Sequence, residues 1–336
     1  MTDQTQSKEP LSASENAFSR RWNYHPPVPI RTSPFFALPF IPRDCVRWFS
    51  DRWLKLAENT LLVVLATLVW FFFHPPLSET KEWAFGWVFE IYIRNLILLT
   101  VVAGGLHLFF YRWKKQGKKL KYDSRELVSS GSLFTFGNQV HDNIFWSLAS
   151  GVTVWTLYEC GMFWAMANGY IPSFYAMSNP VLFVLLLLLT PMIISFHFYW
   201  IHRLIHIPFF YKHVHSLHHR NTNVGPWSGL SMHPVEHVLF FSSILVHCVT
   251  AAHPIHILFH LQHQALTAAT SHTGFEGMFI RDKNRFALGT FHHQMHHRFC
   301  DCNYGNLEMP WDKWFGSFHS GTEDSHKAFL AKRRSI

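Results

Sequence analysis

The strongest constraint on this chain is a series of long apolar stretches. Residues 54–73, 87–111, 144–166 and 181–200 each run for twenty residues or more, and the fourth contains VLFVLLLLLT. Twenty helical residues span about 30 Å, the thickness of a bilayer's apolar core. Four membrane spans are therefore expected, with Glu90 and Arg94 interrupting the start of the second. Composition agrees: charged residues are 15% of 336, against about 25% in soluble proteins. The same profile excludes a disordered chain, a collagen-like chain and a small disulfide scaffold. Five scattered Cys, an odd number, suit a reducing compartment.

Basic residues in the short connections set the orientation. The segment before the first stretch carries Arg20, Arg21, Arg31, Arg43, Arg47, Arg52 and Lys55, and the connection after it has one Lys. The connection after the second carries Arg112, Lys114, Lys115, Lys118, Lys119, Lys121 and Arg125, and the next has no charge. Both ends of the four-span unit, and the chain just after Trp200, should thus face the cytoplasm. The first 20 residues lack an apolar core, which predicts a partly disordered arm and no signal peptide. The net charge of +8 suits a bilayer surface better than nucleic acid. A fifth apolar region, 235–269, is broken by Pro254 and reads as two short spans or a re-entrant hairpin. It is unusually polar for lipid, with His237, His247, His253, His256, His260 and His263.

Histidine is the other anomaly, with 25 in the chain. Directly after the fourth stretch come His202 and His206, four apart, then H-x-x-H-H at His215, His218 and His219. Far downstream His293, His296 and His297 repeat that pattern. Spacings of three and four place imidazoles on one helix face. Imidazole is the commonest metal ligand at neutral pH, and eight boxed rings exceed what one four-coordinate zinc can use. They suit two metal ions, each with an open position. Nitrogen donors favour iron, zinc or copper over magnesium and calcium, and spacing does not choose between iron and zinc.

Other metal motifs fail. A zincin needs H-E-x-x-H, and Arg203 follows His202. A carboxylate di-iron bundle needs paired E-x-x-H motifs, and only Glu323 to His326 offers one. Cys300 and Cys302 follow the third box, where packing is the simpler reading than a thiolate site. A metal-ion transporter would place His and acidic groups mid-span, and a bis-His haem electron carrier would place paired His deep inside facing helices. Here the boxes sit at span ends.

At this point the sequence resembles the fatty acid hydroxylase and sterol desaturase superfamily of integral membrane non-haem di-iron oxidases. The likeness covers about 191–318 through FYWIHRLIH, HSLHH, GLSMHPVEH, HTGFE, HHQMHHRF, NYGN and WDKWFG. It implies an all-α membrane helical bundle with a cytoplasmic His-rich di-metal cap. Together with the apolar stretches and basic connections, which alone divide the first 126 residues, the expected organisation is a cytoplasmic, partly disordered arm over 1–52, a two-span hairpin and basic loop over 53–126, a catalytic domain over 127–318 and a cytoplasmic tail over 319–336.

The resemblance also implies two ferrous ions, with ligands at His202, His206, His215, His218, His219, His293, His296 and His297. His272, in HTGFE, matches an additional ligand, and His233, in HPVE, is a candidate for a ligand or a supporting contact. Many members carry Asp seven residues before the first boxed His. Here that position is Ser195, with His197 nearby as a substitute partner for a ligand. The implied reaction is a mixed-function oxidation of a membrane lipid with O₂ and two external electrons. No G-x-G-x-x-G follows a strand, so a separate small haem protein or ferredoxin, with its reductase, should deliver the electrons. HPVE resembles the sterol-oxidising branch more than the fatty acyl branch.

Overall fold

The computed structural model of the chain describes residues 18, 21–54, 57–174, 178–280 and 284–334. It is mostly helical. Helices α1 (Pro42–Trp53) and α2 (Glu58–Phe72) are followed by α3 (Phe85–Arg112), which contains π-turns at Thr100–Gly104 and Leu108–Arg112. Helix α4 joins Gln139–Trp146 to Val152–Ala167 through a π-turn at Ser147–Gly151. Then come α5 (Pro180–Ile205), the irregular helix α6 over 208–219, and α7 (Pro234–Phe241), which tightens into a 3₁₀ segment at Ser242–Cys248. Helix α8 (Pro254–Ser271), a small hairpin of β1 (Gly277–Ile280) and β2 (Asn284–Ala287), and helices α9 (Phe291–Phe299), α10 (Trp311–Trp314) and α11 (Glu323–Arg334) complete the chain. Nothing in the sequence pattern announced the hairpin.

Among the described residues two helices, α3 and α5, are long and apolar enough to cross a membrane. The pair α1 and α2, bent by 40°, would make a third if it acts as one span, although its break includes residues outside those described. Of the four expected spans, the second and the fourth are supported in this way, and the first through the bent pair. The third apolar stretch does form α4, but Ser147, Ser150, Thr153, Thr156 and Glu159 dilute its hydropathy. Glu159 is fully buried and pairs with Arg94 of α3, whose guanidinium also donates to the Phe73 carbonyl at 3.2 Å. Asn95 donates to the same carboxylate at 3.0 Å. A charge inside an apolar layer persists only when paired in this way.

Helix α8 sits at the centre. Fourteen of its 18 residues are buried, the pattern of a helix surrounded by protein rather than lipid. Leu258, Leu261 and Ala265 pack in one cluster with Leu62 and Ala66 of α2, Leu99 of α3 and Trp155 of α4. The fifth apolar region is therefore α7 and α8, with α8 enclosed by its neighbours. Gly229, in the turn at Pro226–Leu230, presses on α8 so closely that a Cβ would lie 2.0 Å from the Ala268 carbonyl oxygen. Only glycine permits that approach.

The described part of the amino-terminal arm is ordered. Asn23 N–H donates to the Tyr122 carbonyl at 2.8 Å, Ile30 N–H to Ser320 at 2.8 Å and Ser33 N–H to Leu307 at 3.1 Å. Phe18 and Trp22 pack with Tyr122, Phe291 and Met295, so this strap backs α9. The remainder of the expected disordered arm, 1–17 with 19 and 20, lies outside the described residues.

Candidate metal centre

Helix geometry distributes the boxed histidines. Successive residues on a helix turn by about 100°, so i+3 and i+4 both lie on the face of i but on opposite flanks of it. In the first box His202 and His206 go together. In the second, His215 and His219 join them, while His218 turns to a neighbouring point. The third box reverses the division: His293 and His297 turn to the neighbouring point, and His296 joins the first. The result is two groups whose ligand atoms lie within 4.8 Å of one another: His202, His206, His215, His219 and His296 in one, His218, His272, His293 and His297 in the other. Among the described residues both groups consist of histidine alone. The spacing places the rings of each H-x-x-H-H on one helix face, and the fold divides them two and one between the points.

The outward ring nitrogens decide what the inward ones can do. His272 Nδ1 donates to the Ala268 carbonyl at 2.8 Å and His218 Nδ1 to Ser231 at 3.3 Å. His202 Nδ1 donates to Tyr304 at 2.5 Å and His296 Nδ1 to Cys302 at 2.7 Å. His215 Nδ1 lies 2.8 Å from Glu236 Oε1. A carbonyl only accepts, so the four carbonyl contacts fix the tautomers of His202, His218, His272 and His296: in each neutral ring the proton is on Nδ1 and Nε2 is bare.

The inward nitrogens nevertheless crowd together. His272, His293 and His297 place their Nε2 atoms 3.0, 3.0 and 3.1 Å apart. His272 contributes no inward proton, so at most two of the three contacts can be hydrogen bonds, and the third sets two lone pairs or two N–H groups against each other. In the first group Nε2 of His202 lies 3.1 Å from that of His215, and Nε2 of His296 lies 3.1 Å from that of His219. His206 Nε2 is buried with no partner at all.

Protonating the rings does not relieve the crowding. Desolvation holds His215, His219, His272, His293, His296 and His297 well below their ordinary value, and neighbouring imidazoles lower them further. His218 is pulled down to about 4 by burial. A cation at each point resolves the repulsion. At a metal–nitrogen distance of about 2.1 Å, donors about 3.0 Å apart subtend roughly a right angle, whereas a tetrahedral site would need about 3.4 Å. The residues present therefore fit two metal ions with neutral nitrogen ligands and more than four positions each.

His233 and His197 join neither group. His233 instead caps α7, its Nδ1 accepting from Val235 N–H at 3.2 Å. His197 Nε2 meets Ser242 Oγ at 2.9 Å, so it does not stand in for the missing Asp. Ser195, at that position, donates to Asn306 Oδ1 in the NYGN loop. Asp312 of WDKWFG holds that loop by accepting from Tyr304 N–H and Gly305 N–H, both at 2.8 Å, which presents the Tyr304 carbonyl to His202.

Residues that motif reading passed over complete the surroundings. Glu236, two residues after Pro234 in HPVE, was visible in the motif but had no assigned partner until His215 was placed. Cys300 occupies a γ-turn with φ +65°, closed by Asp301 N–H on the Phe299 carbonyl at 2.8 Å. Such a turn is rare for a non-glycine residue. Its thiol lies 3.5 Å from His219 Nδ1 and 3.6 Å from Tyr211 Oη. Gly289, with φ +50°, brings the chain against the Phe275 carbonyl just before α9, where Thr290 caps the helix by accepting from His293 N–H.

Comparison with known proteins points the same way. Residues 184–317 match the fatty acid hydroxylase family. The lathosterol oxidase of Rattus norvegicus is 33% identical over 122 residues, covering 36% of this chain and 40% of the rat protein. The lathosterol oxidase of Homo sapiens is 33% identical over 147 residues, 41% of this chain and 48% of its own. A probable Delta(7)-sterol 5(6)-desaturase of Neurospora crassa is 31% identical over 141 residues, 40% and 38% of the two chains. The chain thus spans less than half the length of these relatives. No solved structure gives a significant match. Residues 184–317, which contain all nine clustered imidazoles, are thus similar to the fatty acid hydroxylase family and to these sterol-oxidising relatives.

Proposed function

We propose that the chain is an O₂-dependent oxidoreductase that hydroxylates or desaturates a membrane lipid, sterol-like or fatty acyl. The observation that carries this reading is the convergence of bare, buried imidazole nitrogens on two adjacent points. His202, His206, His215, His219 and His296 would hold one iron, and His218, His272, His293 and His297 the other. Two ferrous ions supply the activation of O₂ and the oxidising power that an unactivated C–H bond requires. Neutral ligands leave the ions' charge uncompensated, which suits an electron-poor centre.

The chain's own residues orient and shield. The carbonyls of Ala268, Ser231, Cys302 and Tyr304 fix ring direction, as outer partners of metal-bound histidines do. Phe198 lies 4.8 Å from the His202 ring, 6.4 Å from His293 and 6.3 Å from Phe240. It would form an apolar wall between the centre and α7, against which a lipid chain can lie. Burial of eight of the nine rings excludes water.

The names of the relatives favour a sterol among membrane lipids. Entry from the bilayer follows from the site's place at the end of α5. The multi-pass arrangement with a cytoplasmic centre rests on the basic connections, and the two electrons would come from a separate small haem protein or ferredoxin with its reductase. The test is lipid analysis of cells with and without the gene. The reading predicts a lipid heavier by about sixteen mass units or lighter by about two in cells that carry it. Identical lipid profiles, with the protein present and iron-loaded, would refute it.

A further inference from the structure

A second built site lies at the end of α3 and owes nothing to the histidine groups. There the chain leaves the apolar span at Arg112 and Trp113, the latter 59% exposed, the usual signature of a headgroup boundary. The loop that follows folds back and encloses a cavity of about 120 Å³. Its walls include Phe110 and Tyr111 on the apolar side and Lys114, Lys118 and Lys121 on the other, with Glu126 at the rim.

The charge in this cavity is unbalanced. Lys121 is 3% exposed, yet it lines the space. An ammonium offers three donors, and one of them goes to the Arg125 carbonyl at 2.5 Å. Asp123 is engaged with Arg125 at 2.6 Å, and Glu126 offsets one of the cavity lysines, Lys114, at 3.2 Å. Lys118 is exposed beside them. The ring of Tyr111 lies 5.5 Å under the Lys121 ammonium. Three lysines against the one carboxylate of Glu126 leave a net positive charge around one concave space, which, with an apolar wall toward the bilayer, fits an anion that carries a hydrocarbon tail.

We propose that this cavity binds the phosphate headgroup of an anionic phospholipid. The site is stitched to the segment that follows His272. Tyr111 Oη meets the carbonyls of Thr273 and Val224 at 2.8 and 2.9 Å, and Gly274, with φ +76°, leaves room for that hydroxyl. Tyr122 N–H donates to the Gly274 carbonyl at 2.9 Å, and Gln116 Nε2 to Gly277 at 3.0 Å. A bound headgroup therefore steadies the loop, and the loop steadies residues 273–279.

The test follows thermal unfolding of the full chain in a neutral detergent, with short-chain phosphatidylglycerol, phosphatidylcholine or inorganic phosphate added. Phosphatidylglycerol should raise the melting temperature saturably, and the other two should not. The exposed pair Lys114→Ser with Lys118→Ser avoids disturbing the buried lysine. It should raise the half-saturating concentration about 25-fold, the equivalent of about 1 kcal/mol for each lysine removed. An equal response to phosphatidylcholine overturns the site. An equal response to inorganic phosphate overturns its lipid source. A double variant that responds like the unaltered chain overturns the assignment of the lysines.

Discussion

Two sets of buried histidines occupy this molecule, and they behave differently. In the interior around α8, His260 meets Ser243 Oγ at 2.7 Å and His247 at 3.3 Å, His256 donates to the Phe183 carbonyl at 2.9 Å, and His263 meets Asn59 Oδ1 at 3.1 Å. Each inner ring has a partner in a hydroxyl, an amide, a carbonyl or one other ring, and of the rings named only His263 keeps a buried nitrogen, Nδ1, unpaired. In the groups near α9, the outward nitrogens of His202, His218, His272 and His296 spend their protons on carbonyls, and the inward ones are left facing each other. The difference teaches that a metal centre is defined by what remains unsatisfied. Histidine number and burial alone do not define it.

The comparison breaks most sharply at His272. His272→Ala should remove about half the bound metal and abolish lipid oxidation, while the protein stays folded in the membrane. Unchanged metal content would erase the distinction between the two sets. Next in size is the charge pair in the span region. Arg94→Ala leaves Glu159 buried and unpaired and should cost about 3–5 kcal/mol, read as reduced melting temperature or yield. The metal-to-protein ratio of the folded fraction should stay constant.

Glu236→Gln weakens the outer contact on His215 and should lower metal affinity or activity about 10- to 100-fold, measured by metal competition. His260→Ala should cost about 1–3 kcal/mol through unpaired Ser243 and His247, with metal content unaltered. Metal loss there would join the two sets into one. Cys300→Ser keeps a small polar group beside His219 and should change activity by no more than about threefold.

The sequence made much of this site legible, because spacing of three and four residues survives as geometry on a helix. His202 with His206, His215 with His219, and His293 with His297 share a group as that periodicity requires. The division of each H-x-x-H-H between two points was not legible, since it depends on where α6 and α9 lie relative to each other. The carbonyl partners at Ala268, Ser231, Cys302 and Tyr304 have no side-chain signature, so no motif reports them.

Hydropathy located α3 and α5 well. Residues 144–166 are apolar enough to be buried, yet their neighbours in the fold are α3 and α8, and Glu159 finds Arg94 there. The α8 region looked too polar for lipid because it is enclosed by protein. The strap of Phe18 and Trp22 over α9 was hidden by a composition that reads as loop.

Iron K-edge X-ray absorption on the ferrous protein, purified without oxygen, tests the central claim most directly. Two metal points built of imidazole predict a shell of nitrogen neighbours at about 2.1 Å, with imidazole's outer-ring scattering and a second iron nearby. Sulfur neighbours, a haem signature, or iron surrounded only by water oxygens would contradict it.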